Sequence, residues 1–524
     1  MNVFIFAIGG TGARVLRSLT FCLSSGMEVI PDGTTIVPLI IDYDKDNGDK
    51  QRTIDLLDLY ESIHDDVYKG VTRGPKERNF FHPSIKKLSE IATLEGKQNV
   101  AISPSFEFKF GLDDKTDAGT FADYIDYEHM IGGNKLTQDL LSTLYNDEPQ
   151  DFPPGSHPLT ELNLELSQGF KGNPNIGSII FENLKDDIEF KRFENAFDPE
   201  KDRIFIISSI FGGTGSSGFP RIVDAIHYSD ITKFDQALVG ACIVMPYFKV
   251  NTPKGGAINS NIFNSKQKAA LSYYAQPDQN GKSLYDKITE AYFIGEDDPT
   301  TMPYAEGRSQ QENDAHVVEL LAALSIIDFI SKDPKDAKAT KNLEFGLPKL
   351  AGAQEKITFR NFDDVTFDKY LQYLFTQGIT FKYYRDYVAN NTIPTNKAYY
   401  AGLKLVNKVG HGMYKDFEAY IKDYSSWLDE MAGQKDGFKP FLNRPRKEDP
   451  QVPVAENLYD YVDGYDAPKG GLFKKGASYE DFTAFCNSVY SKIKNNWDNE
   501  DQTFFETLYE ASGDVYDLYE ETKK

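Results

Sequence analysis

The run Arg203-Ile-Phe-Ile-Ile-Ser-Ser-Ile-Phe-Gly-Gly-Thr-Gly-Ser-Ser-Gly218 constrains this 524-residue chain more than any other stretch. Its apolar, β-branched start predicts a buried strand. The break into glycines and small hydroxyl residues predicts a loop whose backbone amides can approach an anion closely. A helix is expected to start near Phe219 and to point its positive end at the same anion. A P-loop would continue with Lys and then Ser or Thr, whereas Phe219 and Pro220 follow here. Phosphate held by this loop is therefore held without a P-loop lysine.

The N-terminus repeats the pattern. Residues 3–8 are apolar, Gly9-Gly10-Thr11-Gly12 form a turn, and the sequence from Arg14 has helical spacing. A further strand, Thr35–Ile41, runs into Asp42-Tyr43-Asp44, which places carboxylates at a strand's carboxyl end, where open α/β sheets bind ligands. Strands alternating with helices predict an α/β fold with a parallel sheet.

The chain is long enough for two or three domains. Its 57 basic and 80 acidic residues give a net charge of −23, which repels a phosphate backbone and argues against nucleic acid and anionic lipid as partners. No apolar run approaches the roughly 18–20 residues that span a bilayer, and the start Met-Asn-Val-Phe-Ile-Phe-Ala lacks a signal peptide's basic residues. Three scattered cysteines, Cys22, Cys242 and Cys486, make neither a disulfide framework nor a zinc site, so a reducing, cytoplasmic setting is expected.

Residues 46–165 read as a large, loosely patterned insertion. Regularity resumes with strand 203–210, helix 219–229, strand 237–245, helix 263–275 and strand 291–295. A long apolar helix follows over 311–330, with Ala322 and Ala323 permitting close packing. Residues 332–366 read as a charged linker and 367–524 as a mainly helical domain. The many Tyr and Phe of that domain suit a helical core; a partner-binding surface is the alternative.

Five elements, in order, resemble the tubulin/FtsZ superfamily over roughly 3–44 and 168–331. Gly9-Gly10-Thr11-Gly12 is similar to the family's first nucleotide loop, with Ala13 and Arg14 where the family has Asn. Ile40-Ile-Asp-Tyr-Asp44 is similar to a strand ending in Asn-Thr-Asp, which makes Asp44 a magnesium candidate; a solvated strand end is the alternative. Gly169-Phe-Lys-Gly-Asn-Pro-Asn-Ile-Gly177 resembles the loop that closes over the terminal phosphate, with Gly172 and Asn173 as contacts and Lys171 in place of a glycine. Phe211-Gly212-Gly213-Thr214-Gly215-Ser216-Ser217-Gly218 resembles the signature loop, with Phe211 replacing its first glycine. Gln311-Glu-Asn313-Asp314 resembles the start of the central helix, where Asn313 corresponds to the guanine contact; Asn is also an ordinary helix cap.

The resemblance implies a tubulin/FtsZ-type domain that binds GTP or GDP with Mg2+ and self-assembles into filaments or rings, with slow hydrolysis across subunit interfaces. The family's catalytic loop has two candidate counterparts, Asn342–Leu347 with Glu344 and Asn361–Thr366 with Asp363. Two other classes remain open: a non-catalytic scaffold that recruits a protein through the helical region, and a Rossmann-type dinucleotide enzyme.

Overall fold

The computed structural model describes residues 1–44, 46–70, 79–92, 105–108, 119–145, 161–229, 236–250, 263–296, 300–302, 312–339, 342–345, 356–362, 368–390, 393, 397–441, 462, 478–497 and 499–523. Its strands are β1 Asn2–Ile8, β2 Thr35–Ile41, β3 Ser84–Ile85, β4 Arg203–Ser209, β5 Leu238–Val244, β6 Phe248–Val250, β7 Glu290–Ile294, β8 Thr300–Met302 and β9 Asn342–Phe345. The principal helices are α1 Gly9–Leu23, α2 Gly48–Tyr68, α3 Pro174–Ile180, α4 Gly213–His227, α5 Phe263–Tyr274, α6 Val317–Ser331, α7 Asp368–Tyr383, α8 Met413–Gly433, α9 Tyr479–Ile493 and α10 Glu500–Lys523.

Seven strands form one parallel sheet in the order β3-β2-β1-β4-β5-β7-β9; β6 and β8 pair separately. The α/β class and the parallel sheet are as expected from the alternating pattern. Side chains alternate across the sheet. Val3, Ile5 and Ala7 of β1 join a core with α1, α2, α6 and the C-terminal helices, whereas Phe4, Phe6 and Ile8 join a second core with α3 and α4 on the other face. The chain winds outward from β1 to β3, then returns to place β4 on β1's other side. That reversal opens a crevice at the carboxyl ends of β1 and β4.

Four boundaries differ from the sequence reading. Helix α4 begins at Gly213, six residues before Phe219, and keeps Pro220 inside it. Proline cannot bond the carbonyl four residues back, Ser216; the Tyr274 hydroxyl donates to that carbonyl instead, at 3.2 Å. Residues 48–68, read as insertion, form α2, whose buried Ile54, Leu57, Tyr60, Ile63 and Val67 lie on one face and join the core. Within the expected linker, β9 adds the seventh strand against β7. Helix α6 starts at Val317 rather than Gln311 and is buried from Val317 through Ile330.

The C-terminal helices continue the core on the α1 and α2 side. Phe81 packs against Tyr420 at 4.7 Å and Phe505 at 5.6 Å, and Phe21 against Trp427 at 4.9 Å. The Trp427 Nε1–H donates to Ser18 Oγ at 3.1 Å. Tyr370, Tyr383, Tyr384 and Tyr420 are buried, so these aromatics serve the core.

Candidate functional site

Both helices that start at the crevice do so without a cap. Neither α1 nor α4 has a side-chain cap or an acidic residue in its first turn. The first N–H groups of a helix have no intrahelical partner, so the turns Gly9–Gly12 and Gly213–Gly215 present donors at the positive ends of two helix dipoles. The Ser216 and Ser217 hydroxyls do not compete for these donors: Ser217 Oγ donates to the Gly213 carbonyl at 2.7 Å and Ser216 Oγ donates to that of Gly212. Phe211 is buried and packs edge-on against Phe248 at 5.3 Å, so its side chain leaves the loop and joins the core.

The glycine loops touch. A Cβ built on Gly9, which sits at φ +70°, lies 3.5 Å from Thr214 Cβ. On Gly213 a Cβ meets Gly172 N at 2.9 Å, Phe170 Cβ at 2.9 Å and Asn173 N at 3.0 Å, and on Gly169 it lies 3.9 Å from Asp44 Cβ. The 169–173 loop thus bridges the end of β2 and the start of α4. Three of its residues take left-handed backbone, Gly169 at +73°, Lys171 at +42° and Gly172 at +80°. Asn173 leads into α3 with Pro174 at the first helical position, and its side chain makes no cap bond.

Acids line the other rim. Asp42 accepts from Asp44 N at 3.1 Å and from Asn47 Nδ2 at 3.1 Å, and Asp44 accepts from Asp46 N at 3.2 Å. Burial pushes Asp42 up to about 7 against the opposite pull of Lys50. Hard carboxylate oxygens of this kind suit magnesium, which takes one or two carboxylates and completes its shell with other oxygen ligands and water. Among the described residues no cluster of three or more His, Cys, Asp or Glu forms a protein-only metal site.

Asn313 reaches the same neighbourhood from α6's approach, and its amide is engaged. Its backbone N–H donates to Asp49 Oδ1 at 3.1 Å and Nδ2 donates to Asp49 Oδ2 at 2.9 Å, while Arg52 donates to its carbonyl. Arg14 pairs with Glu319 at 2.5 Å and donates to the Asp314 carbonyl at 2.8 Å, tying α1 to the start of α6. Asp49, Glu319 and Lys266, whose Nζ donates to the Gly172 carbonyl, carry no sequence signal for these roles; their partners are distant in the chain.

Of the two catalytic candidates, only Glu344 lies among the described residues. Glu344 lies in β9, opposite Phe293 and at the sheet's far edge, in a strand rather than the expected loop. Asp363 lies outside the described residues.

The arrangement defines the class: an α/β chain with a seven-stranded parallel sheet and two uncapped, glycine-rich helix starts at its switch point. Compared with models of known protein families and with curated proteins, the chain matches none. Among the described residues no helix is long and apolar enough to cross a membrane.

Proposed function

We propose that this protein binds GTP in the β1/β4 crevice, as a diverged tubulin/FtsZ-like protein, and that the nucleotide controls its self-assembly into filaments or rings, with slow hydrolysis between subunits. The observation that carries the reading is the meeting of two uncapped, glycine-rich helix starts, Gly9–Gly12 and Gly213–Gly215, with the 169–173 loop laid against the second. Backbone amides there take the phosphates. Asp44, with Asp42, holds Mg2+ against them, and ligand charge orders the loops that build the assembly surface.

A Rossmann-type enzyme shares the sheet reversal but has no use for a second glycine loop or the 169–173 bridge. The scaffold reading draws on one observation: the Asn313 amide is already satisfied by Asp49, so a guanine must displace that pair or be read elsewhere. Equilibrium binding of GTP, ATP and NAD to the purified protein tests the proposal. Micromolar or tighter GTP binding supports it; a preference for NAD, or no nucleotide binding, contradicts it.

A further inference from the structure

A second concave site lies between α7 and α8, and none of the glycine loops lines it. Phe381 of α7 and Tyr424 of α8 meet edge to face at 5.1 Å, and with Leu428 they give the cleft an apolar lining. Pro440 and Phe441 close one side. A Cβ on Gly378, inside α7, would run into the Phe441 ring, so the glycine is what admits that ring against the helix. The cavity measures about 70 Å³, room for a small molecule and too little for a nucleotide.

The polar lining is cationic on balance. Lys382 of α7, Arg385 in the π-helical turn Tyr384–Val388 that continues it, and Lys439 share the cleft with Asp429 of α8. Asp386 accepts from Arg385 Nε at 2.8 Å and from Nη2 at 3.3 Å, while Nη1 donates to Ser425 Oγ at 3.4 Å. Three cations thus stand with two carboxylates, Asp386 and Asp429, which leaves a surplus of one positive charge in a chain whose net charge is −23. Lys382 carries its charge at a cost: burial pushes its pKa down to about 8 and Arg385 pushes the same way, against the pull of Asp386 and Asp429. An anion beside the ammonium offsets that cost. A carboxylate brings the single charge that balances the surplus, whereas a phosphate ester brings nearly two.

We propose that the α7/α8 cleft binds a small carboxylic acid with an apolar body, its carboxylate at Lys382 and Lys439 and its body against Phe381, Tyr424 and Leu428. This site is separate from the nucleotide crevice and does not depend on that reading. Binding stabilises the protonated amine of Lys382, so near pH 8 the complex takes up part of a proton from the buffer.

Calorimetric titration of the purified protein with benzoate at pH 8, in two buffers of different ionisation enthalpy, reads affinity and proton uptake together, with benzyl alcohol as the uncharged control. Benzoate is expected to bind at millimolar concentration or tighter with proton uptake, and benzyl alcohol about tenfold more weakly or worse, the size of one charge-assisted hydrogen bond. K382Q should weaken benzoate by a similar factor and abolish the uptake. Ala432→Trp, which fills the cleft from α8 without touching a charge, should lose benzoate binding, and melting of both variants separates these losses from unfolding. No benzoate binding by wild type, equal binding of benzyl alcohol, or undiminished binding and uptake by K382Q overturns the inference.

Discussion

Arg17 of α1 and Glu430 of α8 form a two-pronged ion pair, Nη1 to Oε2 at 2.7 Å and Nη2 to Oε1 at 3.1 Å, between the first helix of the sheet domain and the C-terminal helices. Glu430 also accepts from the Ala315 N–H at 2.9 Å, just before α6, and lies 3.5 Å from Arg52 of α2. One carboxylate thus fastens four segments that meet beside the crevice. Burial alone would raise its pKa, but the bonds and charge of Arg17, then the charge of Arg52, hold it below the usual carboxylate range.

Removing that carboxylate leaves two arginines short of a partner, whereas removing Arg17 leaves Glu430 with Arg52 and the Ala315 amide. E430A is therefore expected to cost more than R17A in urea unfolding, about 3–5 kcal/mol for a broken buried pair. Because the folded pKa is depressed, this contribution is present above the unfolded pKa and is lost as pH falls through the folded one. The gap between wild type and E430A should accordingly narrow in acid below about pH 4. Equal costs for the two variants would contradict the shared-anchor role.

Tyr274→Phe tests how α4 tolerates Pro220. The variant keeps the ring against Phe219, 5.1 Å away, and removes only the donor to the Ser216 carbonyl. The expected loss is about 0.5–1.5 kcal/mol, the net worth of one hydrogen bond to a partly buried acceptor. A neutral result would mean that the helix closes around proline without help.

Glycines separate close approach from open space. Gly213→Ala drives a methyl into the backbone nitrogens of Gly172 and Asn173, so the 169–173 loop is expected to lift and phosphate binding to fail. Gly513, inside α10, has nothing within 4 Å of a built Cβ. Gly513→Ala should raise stability by about 0.5–1 kcal/mol through helix propensity. Thermal melting with and without GTP reads both outcomes.

The Asp42 carboxyl, pushed up to about 7 by burial, is neutral below that pH and charged above it. A charged Asp42 repels phosphate, so GTP affinity without divalent cations is expected to fall as pH rises from 6 to 8, and D42N should flatten the profile. Folding follows the same sign: a raised folded pKa makes the folded state bind more protons, so stability declines as pH rises from about 4 towards 7. A D42N profile as steep as wild type would remove Asp42 from the site.

Local chemistry made the glycine loops legible in the sequence, because a strand breaking into glycine and a helix carries its meaning within a dozen residues. The start of α4 was not legible. The sequence reading started the helix at Phe219, beside Pro220, and the hydroxyl that lets it begin earlier comes from Tyr274, 58 residues beyond the Ser216 carbonyl it bonds. Helix α2 had a readable apolar face at Ile54, Leu57, Tyr60, Ile63 and Val67, obscured by the charges that Asp49, Lys50 and Arg52 bring to its first turns. Strand β9 is short and gains its identity only from β7. The pairing of Asn313 with Asp49 spans 264 residues, and no periodicity announces it.

The most direct test of the account is GTP turnover by the purified protein, with ATP as control, across a range of protein concentrations and with light scattering recorded on the same samples. The account predicts GTP-specific turnover whose specific activity rises with concentration and tracks scattering, as a site completed between subunits requires. Tight GTP binding with flat, negligible turnover and no scattering would contradict nucleotide-controlled assembly and leave a scaffold.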